Sequence, residues 1–230
     1  MANSREKIAV GLSGGVDSSV AAMLLLDAGY DVEGIFMKNW EEDDSDDCNV
    51  KKDYEDACNV CKKLGIKINL VNFSDKYWDD VFRKFIAELK QGYTPNPDIF
   101  CNKEIKFKLF FNYALSIGFD SISTGHYAKN IVNEDAQLHI PKDKNKDQTY
   151  FLYTLKEEIL KKVHFPLNDL MKDEVKQIAS DLNLGVSNKK ESMGICFIGK
   201  RKFSSFVDDY IEPISGPIID YRTNSQIGKH

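Results

Sequence analysis

Residues 11–19, GLSGGVDSS, constrain this chain more than any other short stretch of it. They follow KIAVGL (7–12), an apolar run that reads as a buried strand. They pass into VAAMLLLDAG, an apolar helix that stops at Gly29. Strand, glycine turn and helix in immediate succession are the start of an α/β unit. The turn is not a Walker loop, since G-x-x-x-x-G-K-S/T needs a lysine before the hydroxyl residue and none is here. Nor is it G-x-G-x-x-G. Gly11, Leu12, Ser13, Gly14, Gly15, Val16, Asp17 and Ser18 instead offer a glycine pair, two hydroxyls and a fresh helix N-terminus. Together these make an anion cradle suited to a phosphate group. Asp17 is out of place if the ligand is only an anion, and makes sense if Mg2+ accompanies the phosphates. A plain glycine turn capped by serines would need none of this density.

The rest of the chain continues the pattern. Val32 to Met37 and IKINLVNF (66–73) read as further strands, with DSIST (120–124) as the fourth. Helical spacing covers 51–64 and 75–90. YTPNPDIFCN (93–102) is expected to be non-helical, because its two prolines bias their predecessors to extended geometry. Asn102 then caps a helix from Lys103 to about Ser116. Alternating strands and helices predict a doubly wound parallel α/β sheet. The rhythm changes near 133: a lysine-rich loop, helical-looking 148–162 and 169–183, then the apolar GICFIG (194–199). The expected domains are 1–132, a nucleotide-binding catalytic unit; 133–212, a largely helical extension; and 213–230, the opening of a β domain.

Charge is uneven enough to matter. The 230 residues carry a net charge of −5, which by itself argues against a nucleic-acid partner. Residues 41–56, however, hold nine acids and two lysines, and removing their −7 leaves the remainder at +2. The basic stretches are 83–108 and 142–202. No apolar run approaches the 18 or so residues of a membrane span, and MANSREKIAV lacks the apolar stretch of a secretory leader. Five cysteines, an odd set widely spaced, do not read as a secreted disulfide framework, so a cytoplasmic setting is expected.

Cys101 lies beside the expected helix start and near Lys103, Lys106 and Lys108, a setting that favours thiolate. Cys196, in GICFIG and ahead of Lys200, Arg201 and Lys202, reads by itself as a buried strand cysteine. Cys58 and Cys61 share the apolar face of a helix and are expected to be core. Cys48 has no basic surroundings and is expected to be inert. His126 either touches a nucleotide or hydrogen-bonds its own loop. Lys142, Lys144 and Lys146 form a solvated run or meet nucleic-acid phosphates.

The SGGVDS loop resembles the PP-loop of the ATP pyrophosphatases. That resemblance implies ATP as co-substrate, pyrophosphate as product and an adenylated intermediate, with Met37 and Gly125 facing adenine and ribose. Without it these two are a core methionine and a turn glycine. More specifically, GLSGGVDSS, FMKNWEEDD, TPNPDIFCNKEIKF, STGHY, KDQTYFLYTL and GICFIGKRKF resemble, in sequence and order, the bacterial tRNA 2-thiouridylases. This resemblance implies thiolation at C2 of the wobble uridine in tRNAs for Lys, Glu and Gln. Cys101 would be the nucleophile and Cys196 the persulfide carrier, the pair ending as a disulfide. Asn96, Pro97 and Asp98 would meet the target base, and Lys146, Asp147 and Gln148 the tRNA. Asp98 would orient the N3 proton of the base or merely cap its turn. A sulfur-relay protein or cysteine desulfurase would supply sulfur, and two further, mostly β, domains would follow residue 230. Two other readings stay open: a PP-loop ligase adenylating a small molecule, and a nucleotide-binding unit without catalysis.

Overall fold

The computed structural model describes residues 5–41, 49–187, 189, 203–212 and 214–230. Strand β1 (Lys7–Leu12) lies at the centre of a five-stranded sheet of order β3-β2-β1-β4-β7, every neighbouring pair parallel. Its partners are β2 (Asp31–Lys38), β3 (Ile68–Asn72), β4 (Ser121–Ser123) and β7 (Val163–His164). Ile8, Ala9 and Val10 are fully buried. A parallel strand covered on both faces needs a continuous apolar run rather than an alternating one, which is why 7–12 was readable.

Alternate residues of β1 feed two separate cores. Ile8, Val10 and Leu12 join Ala22 and Leu25 of α1 (Val16–Asp27) and Ala57 and Cys61 of α2 (Asn49–Leu64). Ala9 joins an aromatic cluster built by two long helices on the opposite face, α3 (residues 74–90) and α4 (residues 97–116). Tyr77, Phe82, Phe85, Phe107 and Phe110 from these helices are almost wholly buried. Both helices change hand-hold midway: Trp78–Phe82 in α3 and Cys101–Phe110 in α4 are π-helical. Wide turns of this kind are rare and cluster at functional sites.

Strand order reverses at β1, which pairs with β2 on one side and β4 on the other. The crevice at the carboxyl ends of β1 and β4 is therefore the switch point where open α/β sheets take their ligands. The loop after β1 opens directly into it.

Two expectations need correction. Helix α4 starts at Pro97, not after Asn102. Asn96 is extended and caps the helix, its Oδ1 accepting from the Asp98 N–H at 3.0 Å. Proline is favoured at a first helical position because its missing N–H would be unpaired there anyway. Residues 148–162 are not one helix. They form a 3-10 turn (Thr149–Phe151) and a short helix α5 (Glu157–Leu160), and β7 follows them. Strand β7, beyond the expected boundary at 132, pairs with β4 in the sheet. A hairpin of β5 (Lys129–Val132) and β6 (Ala136–His139) straddles that position. Helix α6 (Lys172–Asp181) falls inside the expected 169–183. Beyond it lie α7 (Phe203–Asp208) and a hairpin of β8 (Pro217–Ile219) with β9 (Gln226–Lys229), which pairs only with itself among the described residues. Cys48 and Cys196 lie outside the described residues.

Candidate active site

The loop after β1 is held open by its own serines. The Ser18 hydroxyl accepts from the Ser13 N–H at 3.2 Å, lies 3.2 Å from the Ser13 hydroxyl and donates to the Gly15 carbonyl at 3.3 Å. Ser19 donates from its hydroxyl to the same carbonyl at 2.7 Å. Gly14 sits at φ +70°, and a Cβ there would stand 2.2 Å from the backbone oxygen of Asp53 in α2. Gly125, just past β4, packs against the first turn of α1, where a Cβ would meet the Ser18 nitrogen at 2.6 Å. Both are glycine because backbone occupies the space a side chain would need. Met37 lies across the floor: its Cε and a Phe110 ring carbon approach a notional Gly11 Cβ at 3.1 and 3.3 Å. The expected loop residues, Met37 and Gly125 thus share one crevice, and α4 reaches it through Phe110.

Asp17 is paired within the chain. Both its carboxylate oxygens accept from the Lys172 ammonium at 2.7 Å, and Oδ1 also accepts from the Tyr127 hydroxyl at 2.9 Å. Lys172 is only 6% exposed. A buried ammonium needs a paired carboxylate, and that requirement accounts for an acid in an anion loop. In this structure both Asp17 oxygens are taken up by Lys172. Among the described residues no three His, Cys, Asp or Glu side chains gather as a metal cage. Lys172→Met should strand the Asp17 charge and cost about 2 kcal/mol, breaking a buried pair being discounted here because Asp17 is one-third exposed. Urea unfolding checks this; an unchanged midpoint would contradict it.

His126 hydrogen-bonds within its own loop, its Nδ1 2.8 Å from the Thr124 hydroxyl, and packs against Phe107 and Phe165. Burial, and then the charge of Lys106, hold its pKa well below the usual histidine value, so it stays neutral.

At the other end of α4, Asp98 and Cys101 lie one turn apart. Burial pushes the Asp98 carboxyl up, against the pull of Lys106. Cys101 is not at a helix terminus: its N–H bonds back to Pro97 and Asp98 carbonyls, and its side chain belongs to the aromatic core at 5% exposure. Asn102, beside it, is buried; its amide donates to the Phe151 carbonyl at 3.4 Å, and its Oδ1 has no partner among the described residues. The Lys146-Asp147-Gln148 triplet shapes the same neighbourhood. Asp147 accepts from the Thr149 N–H and hydroxyl, and Gln148 Oε1 accepts from the Tyr127 N–H at 2.9 Å. A run of hydrogen bonds therefore leads from Asp17, through Tyr127, Gln148 and the 149–151 turn, to the residue beside Cys101. Cys61 is core, as expected, and burial, then the neighbouring Cys58, pushes its thiol up to about 12.

Sequence reasoning missed Lys172, Tyr127 and Phe110. It also missed Lys189, whose ammonium bonds the Gly14 carbonyl, Asp53 and Asp56. Nothing marks any of them locally, since each acts on a loop about 100 residues or more away in the chain.

Known proteins give this geometry a family. The chain is 51% identical over 228 residues to the tRNA-specific 2-thiouridylase MnmA of Francisella tularensis subsp. novicida (strain U112), covering 98% of this chain and 63% of that protein. It is 50% identical over 231 residues to the MnmA of Hydrogenovibrio crunogenus (strain DSM 25203 / XCL-2), covering 99% and 61%. It thus spans rather less than two thirds of the length of these relatives. Two solved structures share the fold at low identity. One is a 4-thiouridine synthetase–RNA complex with bound ATP (TM-score 0.56, 18% identity, 89% of this chain and 49% of that one). The other is the U34-tRNA thiolase NcsA of Methanococcus maripaludis with its [4Fe-4S] cluster (TM-score 0.53, 22% identity, 90% and 65%). Residues 6–200, from the first strand of the sheet past the crevice and both cysteine motifs, match the model of the tRNA methyl transferase HUP domain, and the chain belongs to that family.

Proposed function

We propose that this chain carries out ATP-dependent sulfur transfer to C2 of the wobble uridine of tRNA. The observation that carries the reading is a shared helix: α4 meets the phosphate loop through Phe110 and holds Asp98 and Cys101 at its other end. The similarity to 2-thiouridylases supports it.

The chemistry is coherent. A uracil C2 oxygen is a poor leaving group, and adenylation converts it to AMP. A persulfide on Cys196 attacks C2, AMP leaves, and sulfur joins the base to Cys196. The Cys101 thiolate then attacks Cys196 Sγ, freeing 2-thiouridine and forming a Cys101–Cys196 disulfide that an external thiol reduces. Asp98, its carboxyl raised by burial, suits a group that exchanges a hydrogen bond with the N3–H of the base. The base must leave its stack to arrive. Exposed Tyr150 and Tyr153, just after the triplet at 146–148, offer faces for neighbouring bases. Mg2+ belongs to this proposal as the counter-ion of the polyphosphate. The sulfur donor is a relay protein or a cysteine desulfurase, and the setting is the cytoplasm; among the described residues no helix is long and apolar enough to cross a membrane. The division into catalytic unit, extension and opening β domain is kept as a proposal, with β7 assigned to the first.

Incubation with ATP, Mg2+, a sulfur source and unmodified tRNA should give 2-thiouridine by mass spectrometry of the wobble nucleoside; its absence would overturn the reading. Cys196→Ser should abolish thiolation and spare tRNA-dependent pyrophosphate release, and loss of both would contradict the role assigned to Cys196.

A further inference from the structure

We propose that Lys189 is a positioning residue of the phosphate loop: it turns the Gly14 peptide so that the Gly15 N–H faces a polyphosphate, and it cancels the acids beside that loop. This rests on the phosphate-binding reading of residues 11–18.

The Lys189 ammonium donates to the Gly14 carbonyl at 2.9 Å. In a trans peptide the carbonyl and the following N–H point to opposite sides. Fixing the Gly14 carbonyl toward Lys189 therefore turns the Gly15 N–H away from it. The next peptide is fixed likewise, because the Gly15 carbonyl accepts from the Ser19 hydroxyl and N–H at 2.7 and 3.3 Å. With Gly14 at φ +70°, successive N–H groups converge in the arrangement that receives anions. A cation on the first carbonyl also polarises its peptide and makes that N–H a stronger donor.

Charge gives the second part. Lys189 lies 2.7 Å from Asp53 Oδ1 and 2.5 Å from Asp56 Oδ2. The backbone of Asp53 is in contact with Gly14. Two carboxylates at the lip of an anion site would repel a polyphosphate, and the ammonium among them removes most of that field. Burial works against the Lys189 charge, but the bonds to Asp53 and Asp56 outweigh it and raise the pKa, so the cation persists. A lysine serving only to fasten its segment to α2 would need the acids and not the carbonyl.

The test is calorimetric titration of wild type and Lys189→Met with ATP, inorganic pyrophosphate and adenosine. The variant should bind ATP and pyrophosphate about tenfold or more weakly, the loss of one charge-assisted hydrogen bond, and adenosine within twofold. Lys189→Arg should retain most of the affinity. Adding Asp53→Asn and Asp56→Asn to Lys189→Met should recover part of the loss. Unchanged ATP affinity in Lys189→Met, or equal losses for ATP and adenosine, would overturn the proposal. A wild type that binds neither ATP nor pyrophosphate would remove the phosphate-loop reading, and this inference with it. If Lys189→Met fails to fold by circular dichroism, the Asp53→Asn/Asp56→Asn protein decides. It should bind ATP at least as tightly as wild type, and weaker binding overturns the proposal.

Discussion

Gly14→Ala is expected to abolish ATP binding and to destabilise the fold by about 3–5 kcal/mol, among the largest effects a single methyl can have. Two costs add. Left-handed backbone at φ +70° costs a residue with a Cβ about 1–2 kcal/mol. The new methyl would also stand 2.2 Å from the Asp53 carbonyl oxygen, and a helix backbone cannot swing aside as a side chain can. Helix α2 would have to back away, taking Asp53 and Asp56 with it. Two controls separate the costs. Gly125→Ala meets the Ser18 nitrogen at 2.6 Å without a positive φ, so it tests the clash alone. Gly29→Ala has φ +89° with nothing within 4 Å, so it should cost only about 1 kcal/mol and leave ATP binding intact. Thermal melts and calorimetry on the three variants check the ordering, and a Gly14→Ala protein that binds ATP like wild type would refute it.

Cys101→Ser should lower 2-thiouridine formation by at least about a thousandfold, as loss of a nucleophile does elsewhere, while ATP binding stays within twofold. A serine hydroxyl replaces the thiol in nearly the same volume, so the aromatic core around it is kept. Serine cannot resolve a disulfide bond, and the base would remain linked to Cys196. That linkage is a second readout, a covalent adduct between protein and tRNA that is absent with Cys101 present. Because Cys101 is 5% exposed, the proposed reaction predicts that part of α4 opens. The wide turns of Cys101–Phe110 lie where that opening is needed. Full thiolation by the variant would sink the role assigned to Cys101.

How much of this was readable from residues alone follows from the reach of each interaction. Strand β1 was expected and found at 7–12, because a doubly covered parallel strand writes its burial into consecutive residues. Helices α1, α2 and α3 follow from apolar spacing. Strand β7 is two residues long, too short to carry a period, so its place in the sheet was not legible. Pro97 misled because the rule against helix before a proline concerns the preceding residue. Asn96 obeys it by standing outside the helix as its cap. The loop at 11–18 was legible because its partners are its own serines. The partner that Asp17 has in this structure, Lys172, was not legible, because it is 155 residues away. An isolated lysine among 31 basic residues carries no mark of where it points.

That reach has a consequence for how the protein is made. Strand β1, its glycine turn and α1 leave the ribosome before the rest of the sheet, and the lysine on the Gly14 carbonyl comes 175 residues later. At ordinary elongation rates the two are separated by roughly 10–35 s. Through that interval the growing chain can assemble β1, β2 and β3 and bury their apolar faces, while Asp53 and Asp56 face the loop without their counter-charge. A nascent chain of this kind should acquire its sheet before its full affinity for nucleotide, so ATP capture by unfinished chains is weakened by the order of synthesis itself.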